Sequence, residues 1–456
     1  MQLNLSTRRV PGAARIAAAI VCVASLAGCG SDPKGGPEAT VGPTWHGDIA
    51  PVVTARCSRC HNAEDALTFP LTTYEQVAPL ASWMLTKMQG DDTPPYIMPP
   101  FGARDTEECT PPAPWKNDPR VTEAELALFT AWVDAGAPEG DPSTATDLTS
   151  PEPAHLTGAG VQTYSTAGAA LEENALDDQY LCFPIDLDSD EASWITGLEV
   201  IPENKGIAHH AVVFTDPRGE GAAMAGSEGS YPCFGGSGAT DSSVLFAWAP
   251  GADPFELSPG MGAPVPEGGK LIVQMHYHPT GNAEYDTTRV AVRTAANEPA
   301  KTAQMAVFGA SLSRAADSER WEDPPFEVPA NAEQHVETWV EDLDIPAGAD
   351  VRLFGVFPHM HLAGTDIRIS IERDGEDICL SHDTSWDFEW QLTYMYDGGF
   401  ESLPRLLPGD RVRVRCTYNN TMSNPILSEY TDTPTDIGLG EDTFDEMCIG
   451  FLGVAY

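Results

Sequence analysis

Gly355-Val356-Phe357-Pro358-His359-Met360-His361-Leu362-Ala363-Gly364 leads within two residues into Ile367-Arg368-Ile369-Ser370-Ile371-Glu372. In the second piece isoleucines alternate with polar residues, the period-two pattern of a strand buried on one face. In an extended chain i and i+2 share a face, so His359 and His361 point the same way. Two neutral imidazoles so placed can pinch a transition metal. Alone, such a pair can equally be packed or solvated. Its company makes it informative: His209-His210 and His276-Tyr277-His278 lie upstream, and Met447-Cys448 near the end. Five of these histidines plus one thioether make two three-ligand sites. Imidazole suits copper, and a thioether favours Cu(I).

From about residue 170 onward, short alternating segments are separated by Gly, Pro, Asn and Asp. Val412, Val414 and Cys416 alternate with Arg411, Arg413 and Arg415. The stretch is too long for one β-sandwich and predicts two, over 166–299 and 300–456. His209 and His210 are adjacent and would face opposite sides of a regular strand. Both reach one metal only if the strand ends or bulges there; otherwise one is a ligand and the other core. His276 and His278 share a face with Gln274, and spacing leaves open whether one or both bind.

Upstream the character changes. Arg8, Arg9 and Arg15 precede an apolar run from Ile16 to Ala27, which reads as an export signal too short to span a membrane. Leu26-Ala27-Gly28-Cys29 looks like a bacterial lipoprotein box, with Cys29 lipidated and residue 30, a glycine, favouring the outer membrane. The segment 30–45 reads as a tether, leaving the chain exported and held to the membrane only through its lipid, on the periplasmic or cell-surface face. Cys57-Ser58-Arg59-Cys60-His61 is the c-type haem attachment pattern, with thioethers at Cys57 and Cys60 and His61 as axial ligand. Met98, among prolines, is the expected sixth ligand, while Met84 and Met88 lie on an expected helix and read as core. Thr122 and Glu125 predict a capping box ahead of a stripe of Leu126, Phe129 and Val133 with Trp132 beside it, closed by Gly136. Residues 46–141 resemble a single-haem cytochrome c domain, and 142–165 read as a linker.

Composition narrows the function. The chain has 456 residues, 42% hydrophobic, with 25 basic against 68 acidic side chains and a net charge of −43. A deficit of Lys and Arg this large excludes nucleic-acid binding, which needs phosphate-neutralising cations. Of ten cysteines, Cys22 and Cys29 belong to the signal, leaving eight in an oxidising compartment.

Seven pieces in order carry a family resemblance: Ile207-Ala208-His209-His210-Ala211-Val212-Val213-Phe214, Leu245-Phe246-Ala247-Trp248-Ala249, Val273-Gln274-Met275-His276-Tyr277, Phe357-Pro358-His359-Met360-His361, Trp386-Asp387-Phe388-Glu389-Trp390-Gln391, Cys416-Thr417-Tyr418-Asn419 and Asp445-Glu446-Met447-Cys448. Over about 170–456 the chain resembles the copper type II, ascorbate-dependent monooxygenases, the peptidylglycine α-hydroxylating and dopamine β-monooxygenases. The resemblance implies a small all-α cytochrome c-like domain followed by two all-β jelly-roll-like sandwiches, each sandwich holding one copper across a solvent cleft. It puts the electron-transfer copper on His209, His210 and His276, with Gln274 nearby and His278 as a supporting residue. It puts the dioxygen-binding copper on His359, His361 and Met447. It matches Cys416 with Cys448 as a disulfide anchoring Met447. Cys182 with Cys233 is the expected second bridge, and Cys109 and Cys379 have no assigned partners.

The implied chemistry is C–H hydroxylation by dioxygen, one oxygen atom entering product and the other leaving as water, with two electrons from an external reductant, ascorbate or an electron-transfer protein. Where the peptidylglycine hydroxylases hold a substrate carboxylate, this chain has Phe357, Ile449 and Phe451. An anion there lacks donors, so a small apolar substrate is expected. The haem of Cys57–His61 is expected to relay electrons to the first copper, the 142–165 linker being long enough for approach. The competing expectation is a non-catalytic periplasmic protein that only carries copper and electrons.

Overall fold

The computed structural model describes residues 42–62, 69–91, 93–145, 154–175, 178–187, 191–233, 236–295, 297–310, 326–388, 390–440 and 444–456. Cys29 and the export segment lie outside them. Among the described residues the fold is mostly β, in sandwich-like sheets with few helices, and no helix is long and apolar enough to cross a membrane.

The helices gather near the start. A π-helical turn, Trp45–Ile49, runs into Ala50–Arg56, and Tyr74–Val77, Ala81–Gln89 and Glu123–Asp134 follow. Thr122 accepts from the Glu125 N–H while the Glu125 carboxylate takes the Thr122 N–H at 2.8 Å, so the last helix begins in a reciprocal cap. Of its expected stripe, Phe129 and Trp132 are fully buried and Leu126 and Val133 only half so. Trp45, Ile49, Val53, Val77, Met84 and Met88 complete that core.

The segment from Phe101 to Lys116 leaves the helices and packs on β-structure far along the chain. Trp115 stacks on Tyr396 at 4.7 Å, Phe101 meets Tyr394 edge-on at 4.8 Å, and Cys109 is disulfide-bonded to Cys379.

A five-stranded sheet orders Tyr231–Pro232, Gln179–Ile185, Lys270–Tyr277, Ala208–Asp216 and Val244–Trp248. A four-stranded sheet orders His335–Asp342, Arg411–Tyr418, Gly364–Arg373 and Glu376–Asp383. A ten-stranded sheet serves both halves: Lys301–Ala310 pairs in parallel with Met261–Val265 on one side and antiparallel with Cys448–Ala455 on the other, which in turn pairs with Val351–His359. Ile367, Ile369, Ile371, Val412, Val414 and Cys416 point into the common core, and the intervening arginines pair outward with carboxylates such as Glu372 and Asp366.

Candidate metal centres

His209, His210 and His276 come together where two interior strands of the five-stranded sheet meet, at the start of Ala208–Asp216 and the end of Lys270–Tyr277. His276 stands opposite His210, but the next pair is Tyr277 with Ala208, so the ladder slips and His209 is the extra residue of a bulge. The bulge turns two adjacent side chains to one place. His209 Nδ1 lies 3.1 Å from His210 Nδ1 and 3.0 Å from His276 Nδ1, and the latter two are 3.3 Å apart. Three ring nitrogens so spaced fit one ion at about 2.0–2.1 Å from each, the usual metal–imidazole distance. Protonation is not the alternative, because burial, then His276, His209 and His359, hold His210 well below its ordinary value.

The cluster is braced from behind. His276 Nε2 lies 3.0 Å from the Asp178 carboxylate, which also takes His278 Nδ1 at 2.8 Å. An N–H on Nε2 leaves Nδ1 as the lone-pair nitrogen, the tautomer the cluster needs. Tyr180, directly across the ladder, stacks on the His276 ring at 4.2 Å. Gln274, buried two residues before His276, donates to Cys233 Sγ in the Cys182–Cys233 disulfide. His278 is exposed and turned to Asp178, its ring 6.4 Å from that of His209.

Asp178 sits in a loop where no periodicity could have singled it out. Burial opposes its charge, yet the hydrogen bonds and charges of His276 and His278 hold its carboxyl below the usual value. An Asp178→Asn variant is expected to bind copper at this cluster about 10–100-fold more weakly, the usual effect of losing such a partner. Chelator competition at one equivalent of copper measures it, and undiminished affinity would remove Asp178 from the site.

His359 and His361 form the second cluster, rings 5.1 Å apart. Both are held by Nδ1, His359 at 2.8 Å from Gln391 Oε1 and His361 at 3.0 Å from the Asp445 carbonyl. Nε2 therefore faces away from each brace. Burial, then the neighbouring His361, brings His359 down to about 3 although the Gln391 hydrogen bond raises it. Phe451 pairs with Phe357 and Ile449 with His359, so Met447, two residues before Ile449, follows the register toward His361. Met447 is buried, its carbonyl takes the Tyr418 hydroxyl at 2.7 Å, and the next residue is clamped by the Cys416–Cys448 disulfide. The donor set, two imidazoles and a thioether, suits copper.

Glu446 joins the two halves of this cluster and escaped the sequence reading. It is fully buried, and its carboxyl accepts the backbone N–H groups of His361 at 2.9 Å, Ala363 at 2.7 Å and Met447 at 3.2 Å. Burial pushes its pKa up to about 8 against the pull of these N–H groups. Beside the cluster Phe357 and Phe451 stack at 5.1 Å, and with Ile449 they form a buried apolar wall.

At the helical end, Cys57 and Cys60 lie outside the three disulfides Cys109–Cys379, Cys182–Cys233 and Cys416–Cys448. His61 Nδ1 lies 3.0 Å from the Phe69 carbonyl, which directs Nε2 away from that brace. The aromatic rings of Phe69 and Trp83, both more than 40% exposed, continue from His61 along the surface. Met98 is half-buried, its N–H bonded to the Lys87 carbonyl at the end of Ala81–Gln89, and Met84 and Met88 lie in the helical core.

Residues 328–454 match the family described as copper type II ascorbate-dependent monooxygenase, C-terminal domain. DBH-like monooxygenase protein 1 of Gallus gallus is 23% identical over 377 residues, covering 77% of this chain and 56% of that protein. The protein of the same name from Homo sapiens is 24% identical over 263 residues, covering 55% and 39%. The chain thus spans about half or less of the length of these relatives. Among solved structures, the major capsid protein P2 from Bacteriophage PM2 is similar over 61% of this chain and 97% of its own, at 9% identity and a TM-score of 0.26, which carries no argument. The family match falls on the part of the chain that carries His359, His361 and Met447.

Proposed function

We propose that the protein is a two-copper monooxygenase that hydroxylates a C–H bond of a small apolar substrate with dioxygen. The observation that carries the reading is the convergence of three imidazoles, the buried His210 and His276 and the half-buried His209, on the same chain as a separate His359, His361 and Met447 set within the family-matched region. Copper, when bound, supplies a one-electron couple at the first set and dioxygen activation at the second. The chain's own residues do the rest. Asp178 and Gln391 fix ring tautomers, Glu446 holds the backbone of His361 and Met447 in one frame, and Phe357, Ile449 and Phe451 keep water and anions from the second site.

We further read Cys57, Cys60 and His61 as a covalent haem site that passes electrons to the coppers. The Cys57-Ser58-Arg59-Cys60-His61 spacing, the His61–Phe69 brace and the exposed rings of Phe69 and Trp83, which a porphyrin would cover, support it. Anchoring through Cys29 on the outer membrane agrees with the disulfides, which persist in oxidising compartments.

The test of substrate class is direct. Copper-loaded protein with ascorbate and labelled dioxygen is expected to place one labelled oxygen in aryl-alkyl substrates, with little turnover of a carboxylate-terminated peptide. Efficient hydroxylation of a peptidylglycine would overturn the apolar assignment. Reduced protein that reacts with oxygen but labels no C–H donor favours the non-catalytic carrier instead.

A further inference from the structure

The helical end of the chain meets the first copper cluster's sheet at one defined point. Following the Val244–Trp248 strand the chain turns, with the Ala252 N–H bonded to the Ala249 carbonyl at 3.0 Å and Gly251 at φ +82°. That backbone conformation suits glycine, and a second reason excludes a side chain: a Cβ on Gly251 would lie 2.5 Å from Cys60 Sγ. The attachment sulfur therefore rests against main chain. Two residues on, Asp253 pairs with Arg59 of the same attachment motif, both side chains about three-quarters buried or more. The contact borders a cleft of about 420 Å³ whose other wall includes Trp390.

From Gly251 the path to the first cluster, along the chain and across one hydrogen-bonded strand pair, is short. Trp248 is three residues back, and in the sheet it is paired with Ala211, the neighbour of His210. Four residue steps at about 3.3 Å and one strand crossing of about 4.8 Å give a contour of roughly 18 Å.

We propose that the contact of Cys60 with the Gly251 turn, locked by Arg59 and Asp253, is the electron port of the His209–His210–His276 copper. This rests on the haem reading above and adds the route. One electron moves from ferrous haem iron, which becomes ferric, to Cu(II), which becomes Cu(I). No atom or proton is exchanged in that step, and an external donor of the ascorbate kind returns the haem to the ferrous state.

The test uses the full-length protein carrying haem and copper, with both contents measured first. Haem is reduced anaerobically in the presence of Cu(II), and its absorbance and the Cu(II) paramagnetic signal are followed together. Wild type is expected to show both signals decaying at one rate independent of protein concentration. Asp253→Arg places like charges together, which costs enough to undock the contact, so its rate is expected to fall about tenfold or more. Gly251→Ala should act in the same direction, and Arg59→Asp combined with Asp253→Arg should restore the rate. Haem content and copper content should stay at wild-type levels throughout, while hydroxylation driven through the haem should fall with the transfer rate. Wild-type transfer rates in both single variants, or slowing by Trp390→Ala alone, would overturn the port while leaving the haem relay standing. Protein without covalent haem, or a wild-type haem that stays reduced beside Cu(II), removes the relay and the port together.

Discussion

Replacing Met447 with isoleucine is expected to leave copper on His209, His210 and His276 and to lower hydroxylation by roughly 100-fold or more, beyond the usual effect of losing an outer-shell partner. The two side chains are similar in size, and volume-conserving exchanges in a core usually cost less than about 1.5 kcal/mol, so the fold should survive. What is lost is the soft donor. Two imidazoles alone hold Cu(II) well but stabilise Cu(I) poorly. The variant should therefore bind near-normal copper when oxidised, lose the copper–sulfur distance from the X-ray absorption spectrum of the reduced protein, and fail to turn over. Unchanged turnover would remove Met447 from the site.

Part of this site is legible in the sequence because it obeys a short period. His359 and His361 share a face by strand geometry, and Ile367, Ile369 and Ile371 announce a half-buried strand beside them. The apolar wall is readable too, since Phe357 and Ile449 stand two residues from His359 and Met447, and Phe451 follows Ile449 by two more. Period alone cannot resolve His209 and His210. Whether one or both face the metal depends on a bulge at the Tyr277 crossing, a property of two strands 67 residues apart. Cys109 and Cys379 are separated by 270 residues, and no local pattern links them. The sheet that runs through both halves depends on a two-residue parallel pairing of Lys301 and Thr302 with Met261 and Gly262, too short to leave a mark on composition. Asp178 and Gln391 reach the histidines from loops, where nothing repeats.

Glu446 is the residue whose loss should most disturb the second cluster without touching a ligand. Its carboxyl takes backbone N–H bonds from His361 and Ala363 at one corner and from Met447, so it couples the strand bearing the imidazoles to the turn bearing the thioether. The corner has little other freedom: a Cβ at Gly364 would come within 2.9 Å of Met360 and Trp386, and the His361 carbonyl already takes the Trp386 indole N–H at 3.2 Å. Glu446→Ala would strand these amides away from water, at about 1–3 kcal/mol for each unsatisfied group. Relaxation will recover part of that, and a net loss of about 3–5 kcal/mol is expected from three amides left unsatisfied. Glu446→Gln keeps one carbonyl acceptor and the side-chain volume, so its loss should be the smaller. The sharper readout is selectivity. Glu446→Ala should release copper from His359, His361 and Met447 at chelator concentrations that leave His209, His210 and His276 loaded, because the Glu446 carboxyl bonds to the backbone of the second cluster. Thermal unfolding gives the stability, and copper stoichiometry with absorption spectroscopy gives the site lost. Equal release from both clusters would mean that Glu446 supports the fold in general. A Glu446→Ala protein with wild-type stability and copper at both sites would show that the carboxylate clamps nothing.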